Sequence, residues 1–291
     1  MRFAAFLVAT LIAFGADQQW EDAILRGREL QHAGRYAEAE SLLTAALKKA
    51  EVSNAGPMMM ARSLSALGSV YQDLGRLAEA ENAYLRAMES DPEFIEPING
   101  LASLYFDTRQ LAKAETLTLR CLAVDERNGG EHLVIAQDMG NLAVVYQMER
   151  RYREAEELFL RAIESFEANG GATASSLATI LHNFGALRFE TGKPQEAAQY
   201  VERALAIWEQ TLGRNHPIYA QGLAHLAYVD ARIGQRAESE RLWKQSLATL
   251  ESTVGRTHPA YVRLARAYRH RRARTANPEQ YTVDYRDLVR Q

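Results

Sequence analysis

A set of small residues recurs along the chain at fixed spacing, and this constrains the fold more than any other feature of the sequence. Six segments align so that the eighth, twentieth and twenty-seventh residue of each is Gly, Ala, Ser or Cys, and the twenty-eighth is aliphatic. Small residues at such spacing suit helices that approach closely, because a larger side chain would overpack their contact. The segments begin at Trp20, Ala61, Ile95, Ala136, Ala178 and Ala220. This pattern predicts an all-α chain built from six repeated units.

The second segment shows the repeat most fully. Between Ala61 and Phe94 it carries Leu64, Leu67, Gly68, Tyr71, Ala80, Tyr84, Ala87 and Pro92 at the spacing of the tetratricopeptide (TPR) pattern. At these residues the chain resembles the TPR family, whose units are antiparallel helix pairs. The resemblance implies a right-handed α-solenoid of six TPR helix pairs spanning residues 17–276.

The junctions between units carry a second resemblance. The starts at Ala61 and Ile95 are 34 residues apart, whereas the other neighbouring starts are 41 or 42 apart. Two of the longer junctions, Leu212–Pro217 and Val254–Pro259, carry the G-x-x-H-P sequence and resemble kinesin light chain-type repeats. Gly suits the end of one helix, and Pro the first turn of the next. His216 and His258 are therefore predicted to cap helices; the alternative is a metal site formed by the two histidines.

A final helix is expected at 260–275, after the sixth unit. At its eighth repeat position stands Arg269, where every earlier unit has Gly or Ala. A bulky charged side chain there cannot accept a close helix partner, so we interpret this segment as a capping helix. Its arginines leave a second interpretation open, an intracellular adaptor for RNA or an acidic partner. They are Arg263, Arg266, Arg269, Arg271, Arg272 and Arg274.

Both ends of the chain differ from the repeats. Residues 1–16 carry Arg2, an apolar run from Phe3 to Phe14 and then small residues, the pattern of a secretory signal peptide. The alternative is an uncleaved membrane anchor. Residues 277–291 form a tail in which Tyr281, Val283 and Tyr285 alternate with polar residues, which predicts an extended segment that docks on the repeats or on a partner.

Composition and motifs argue against an enzyme. The net charge of −3 supplies no basic field for nucleic acid in bulk. No nucleophile elbow, zinc-protease motif, phosphate-binding glycine loop or cysteine pair occurs. Cys121 is the single cysteine and occupies one of the small slots, which predicts a packed thiol rather than a reactive one. We expect no catalytic residue, metal or cofactor.

The TPR resemblance implies that the first helix of each pair lines a concave groove. Asn141 and Asn183 stand at the sixth position of their units, where kinesin light chain-like repeats carry asparagines that bind the main chain of an extended peptide. His225 departs from that pattern. The alternative is that these side chains satisfy neighbouring helices. The other predicted groove residues are Gln137, Gln147, His182, Phe189, Gln221, Tyr228 and Arg232.

Taken together, these patterns predict a non-catalytic scaffold outside the cytoplasm, periplasmic or secreted. Its expected ligand is a protein or peptide rather than a nucleic acid, and no stable membrane insertion is expected once the signal is cleaved. An extended segment with apolar anchors fits the mixed polar and aromatic groove.

Overall fold

A computed structural model describes residues 18–52, 56–171 and 174–276, with the side chains of 271–276 excepted. Within these ranges the chain forms thirteen helices and no strand, which confirms the predicted all-α fold. The signal peptide predicted at 1–16 and the tail predicted at 277–291 lie outside the described residues. The helices fall into two compact units, one ending at Asn128 and the other beginning at Gly129.

The first unit contains three helix pairs. Helix α1 covers residues 18–32. It is followed by α2 (Tyr36–Val52), α3 (Pro57–Asp73), α4 (Leu77–Ser90), α5 (Ile95–Asp107) and α6 (Leu111–Arg127).

The second unit contains three further pairs and the predicted final helix. Its elements are α7 (His132–Met148), α8 (Tyr152–Ala168), α9 (Ser175–Glu190), α10 (Pro194–Thr211), α11 (Pro217–Arg232), α12 (Arg236–Thr253) and α13 (Pro259–Ala276). No described helix is long and apolar enough to cross a bilayer.

A three-residue turn joins the two helices of every pair, and its middle residue always has positive φ. Four of these residues are glycines, which adopt the left-handed conformation without steric cost. In the third and fourth pairs the position is held by Arg109 (φ 64°) and Arg150 (φ 62°), where a side chain makes that conformation unfavourable. The four glycines are Gly34, Gly75, Gly192 and Gly234.

The recurring small residues lie where the helices of a pair meet. All eighteen are buried, Cys121 among them with no exposed surface, which confirms the packing predicted for these slots. In the sixth pair two of the slots hold serines. Ser239 Oγ donates to the carbonyl of Ala227, and Ser246 Oγ donates to that of Ala220. The opposite order of donors and acceptors along α12 and α11 shows that the pair is antiparallel.

The predicted helix caps are confirmed. His216 Nδ1 accepts a hydrogen bond from the backbone N–H of Ile218 at 3.2 Å, and His258 Nδ1 accepts one from Ala260 at 3.2 Å. Each histidine satisfies one of the N–H groups that a helix start leaves without a partner.

Arginines at the twenty-sixth position of three repeats connect each of these repeats to the preceding one. Each arginine contacts the thirty-second residue of the preceding repeat, either at its side chain or at its backbone carbonyl. Arg86 pairs with Glu51 at 3.2 Å, Arg120 donates to the carbonyl of Pro92 at 2.6 Å, and Arg203 pairs with Glu167. These polar contacts join neighbouring repeats at matching positions, in addition to the apolar packing between their helices.

Candidate functional site

All ten predicted groove residues lie in the second compact unit, which begins at Gly129, and each is on the first helix of its helix pair. The structure therefore places them on α7, α9 and α11. Helix α7 carries Gln137, Asn141 and Gln147, helix α9 carries His182, Asn183 and Phe189, and helix α11 carries Gln221, His225, Tyr228 and Arg232. We call this set the inner-face residues.

The inner-face residues differ in how far they reach solvent. Asn141 and Arg232 are exposed, and five others are half-buried. Gln147, His182 and His225 are buried. Gln137 Nε2 donates to Asn141 Oδ1 at 3.4 Å, so these two amides are oriented by each other one helical turn apart. The half-buried residues are Gln137, Asn183, Phe189, Gln221 and Tyr228. A role for each of the ten as a ligand contact stays a prediction.

His182 and His225 form a buried pair that connects α9 to α11. The Nδ1 atom of His225 lies 2.8 Å from Nε2 of His182, and the rings meet edge to face with centroids 4.5 Å apart. His182 also packs against Trp208 of α10, at 5.4 Å between ring centroids. Since a neutral imidazole has one donor and one acceptor nitrogen, this geometry requires one ring to donate to the other.

Burial favours the neutral form of both histidines. It lowers the pKa of His182 to about 4, and the neighbouring Asn183 side chain opposes part of that shift. It also lowers the pKa of His225 well below its usual range, and the neighbouring His182 lowers it further. His225 thus contacts a neighbouring helix, and its contact with a ligand stays a prediction.

Phe189 and Tyr228 form a second aromatic contact between α9 and α11, and this one reaches the surface. Their ring centroids are 5.1 Å apart and the rings are tilted by 58°. Arg232 follows Tyr228 by four residues, so both side chains lie on the same side of α11. The arrangement presents an apolar surface beside an exposed positive charge.

Arg188 is a buried charge that the sequence did not single out. Its side chain on α9 is 8% exposed, pairs with Glu156 of α8 at 2.7 Å and with Glu196 of α10 at 3.3 Å, and lies 4.6 Å from the Phe184 ring. It connects α9 to both α8 and α10. An arginine in an amphipathic helix normally indicates a solvent-facing position, so the pattern alone could not reveal this role.

In the first unit, the equivalent helices bind each other through charged and polar side chains. Arg28 of α1 contacts both carboxylate oxygens of Glu96 of α5, at 2.6 and 2.8 Å. Gln31 donates to Ser69 at 2.7 Å and to Asp73 at 2.6 Å. These polar groups of α1, α3 and α5 are thus engaged within the protein.

The C-terminal helix has one buried face and one basic face. Ala260 and Leu264 are buried, while Arg263, Arg266 and Arg269 are exposed. Across the part of the chain that the structure describes, no three His, Cys, Asp or Glu side chains come together to hold a metal ion.

Comparisons with known proteins agree with this architecture. The tetratricopeptide repeat family model matches residues 22–93, 95–168 and 176–252. None of the curated proteins compared matches the sequence.

Among solved structures, the apo form of RapI is similar over 93% of this chain and 96% of its own, with 16% identity and a TM-score of 0.71. BtubC (BKLC) from P. vanneervenii is 22% identical, covers 84% of this chain and 94% of its own, and has a TM-score of 0.57. Nearly identical TPR-like repeats of kinesin light chain type from Podosopora anserina are 22% identical over 68% of this chain and 97% of their own, with a TM-score of 0.55. At such identities the likeness concerns the fold alone. The family model, by contrast, covers well over half of the sequence, and the chain belongs to the tetratricopeptide repeat family.

Proposed function

We propose that this chain is a non-catalytic interaction scaffold that binds an extended peptide or partner protein along α7, α9 and α11. The observation that carries the proposal is the row of exposed and half-buried amide and aromatic side chains on these three helices. Amides offer donors and acceptors to a peptide main chain, and aromatic rings offer apolar area to its side chains. Membership of a repeat family that commonly builds extended binding surfaces supports the same conclusion.

The second unit suits this role better than the first. In the first unit, the equivalent positions are taken up by the Arg28–Glu96 ion pair and the Gln31 hydrogen bonds. A ligand there would have to replace those interactions before gaining its own, which reduces the net free energy of binding. Asn141 is exposed and Asn183 half-buried, so a main chain can approach their amides at a smaller cost.

Photo-crosslinking in the producing cells tests the proposal. A benzophenone side chain at Gln221, on the inner face, is compared with one at Gln199, an exposed position on α10. We expect discrete partner adducts from Gln221 that disappear when Asn141 and Asn183 are both changed to Ala, and none from Gln199. Equal adducts from both positions, unaffected by the double substitution, would contradict the proposal.

We further propose that the scaffold acts outside the cytoplasm, since residues 1–16 have the composition of a signal peptide. N-terminal sequencing of the protein from its producing cells tests this. A start near Asp17 is expected. A start at Met1 in the membrane fraction would support the uncleaved anchor. A start at Met1 in the cytoplasmic fraction would support the intracellular adaptor, for which the exposed arginines of α13 would supply the binding surface.

A further inference from the structure

The Phe189–Tyr228 contact and Arg232 together describe a site with a chemical preference. We infer that the second unit recognises a segment of a partner protein in which an apolar side chain lies close to an Asp or Glu. The aromatic pair would receive the apolar side chain and Arg232 the carboxylate. This inference rests on the proposed function and specifies its ligand.

The aromatic half of the site is already assembled in the free protein. The two rings are 5.1 Å apart, which fixes each against the other, and both remain half-buried rather than covered. An apolar side chain laid on them would remove further ring surface from water at little cost in side-chain order.

The charged half of the site is Arg232. It is exposed at the last residue of α11, one turn beyond Tyr228. A guanidinium binds a carboxylate through two parallel hydrogen bonds, which favours Asp or Glu over a neutral residue. Glu190, its counterpart on α9, is engaged within the protein. A partner carboxylate is the complementary group for this corner of the inner face.

Two other arginines have guanidinium groups that are paired with carboxylates of the protein. Arg28 is held by both oxygens of Glu96, and Arg188 by Glu156 and Glu196. Arg232 has no ion-pair partner among the described residues. Its exposed position beside the Phe189–Tyr228 contact leaves its guanidinium accessible to an incoming acidic segment.

Panning a random twelve-residue peptide library against the full chain tests the preference. The wild type is compared with Arg232→Glu, with Arg232→Gln and with Arg153→Glu, a matched charge reversal at an exposed position on α8. We expect wild type and Arg153→Glu to enrich Asp or Glu within three residues of an apolar side chain at least threefold. Arg232→Gln should lose that enrichment, and Arg232→Glu should enrich Lys or Arg instead.

Three results would overturn the inference, and they are distinguishable. In the first, the enriched peptides show no preference for Asp or Glu, or Arg232→Glu shows the same preference as the wild type. Either result would be compatible with the proposed function but would contradict the role inferred for Arg232. Failure of the wild type to enrich any peptide would remove both. Finally, at least tenfold tighter binding of an enriched peptide after truncation at Ala276 would identify the chain's own tail, with Asp284 and Asp287, as the occupant in place of a partner.

Discussion

The Nδ1 atom of His225 lies 2.8 Å from Nε2 of His182, which joins α9 to α11 through two buried imidazoles. The contact requires at least one neutral ring, because two protonated rings would place two N–H groups against each other. His182 is 5% exposed and His225 1% exposed, so water cannot compensate for a charge on either ring.

The pair makes the stability of the second unit depend on pH. The pKa of His182 is about 4 in the folded chain, below its ordinary value of 6.5, so below pH 6.5 the unfolded chain takes up a proton that the folded chain does not. The contribution of neutral His182 to stability is therefore fully present above pH 6.5 and is lost as the pH falls to about 4. The loss from this residue is roughly 3 kcal/mol.

Asp230 acts in the opposite direction, so a single pH profile is not sufficient. Burial, followed by Glu202 and Glu238, raises its pKa to about 6, and acid relieves that unfavourable charge. The decisive quantity is the difference in unfolding free energy between wild type and His182→Leu, measured by urea denaturation from pH 7 to pH 4. The difference should shrink by about 3 kcal/mol on acidification. The control His132→Asn, at an exposed histidine, should have the same pH dependence of stability as the wild type. A difference between wild type and His182→Leu that stays constant with pH would contradict this explanation.

Arg150→Gly should stabilise the protein. Arg150 has φ 62° in a turn where four equivalent residues are glycines, and a left-handed conformation is unfavourable for a residue with a side chain. After allowing for the greater flexibility of glycine in the unfolded chain, we expect a gain of about 0.5–1 kcal/mol by thermal or urea denaturation. The reciprocal change Gly192→Ala should lose about 1 kcal/mol. Destabilisation by Arg150→Gly would show that the arginine side chain matters more than the backbone.

Gly100→Ala should destabilise the first unit. A Cβ atom at Gly100 would lie 2.5 Å from Cε1 and Cζ of Tyr84, whose ring is buried and cannot move aside freely. We expect a loss of about 1–3 kcal/mol in urea denaturation, despite the better helix propensity of alanine. Gly56 has nothing within 4 Å of its Cβ position, so Gly56→Ala should cost less than about 1 kcal/mol. Equal effects would contradict the packing argument.

Two arginine contacts should differ in strength because their burial differs. Arg188 is 8% exposed and lies between two glutamates, whereas Arg203 is 42% exposed and pairs with Glu167 alone. We expect Arg188→Ala to lose about 2 kcal/mol, because it removes a buried guanidinium with its packing and its charge-assisted hydrogen bond to Glu156, while the two glutamates that it leaves are 35% and 47% exposed. Arg203→Ala should lose at most about 1 kcal/mol. High salt should reduce the loss of stability caused by Arg203→Ala and leave most of the loss caused by Arg188→Ala.

The repeat architecture could be predicted because its determinants are local. A small residue such as Ala80 or Cys121 is required wherever two neighbouring helices touch, and the same spacing returns in every unit. The caps at His216 and His258 were predictable for the same reason, since each acts on the helix that it precedes. Such features need no knowledge of contacts between distant residues.

The interior of the candidate site could not be predicted in this way. The contact between His182 and His225 joins two helices 43 residues apart in sequence, and its geometry depends on how α9, α10 and α11 pack. Gln147, another predicted groove residue, is buried as well, which its residue type does not reveal, because a long polar side chain usually reaches solvent. Arg188 shows the same limit for a charged residue.

The central claim, that α7, α9 and α11 bind a partner, is tested most directly by calorimetry with the partner captured from Gln221. Its affinity is measured for the wild type, for Asn141→Ala with Asn183→Ala, and for Gln199→Ala with Gln210→Ala as a matched pair of amides on α10. The account predicts at least tenfold weaker binding, about 1.4 kcal/mol, for the inner-face pair and wild-type affinity for the α10 pair. Equal affinity in all three proteins would contradict it.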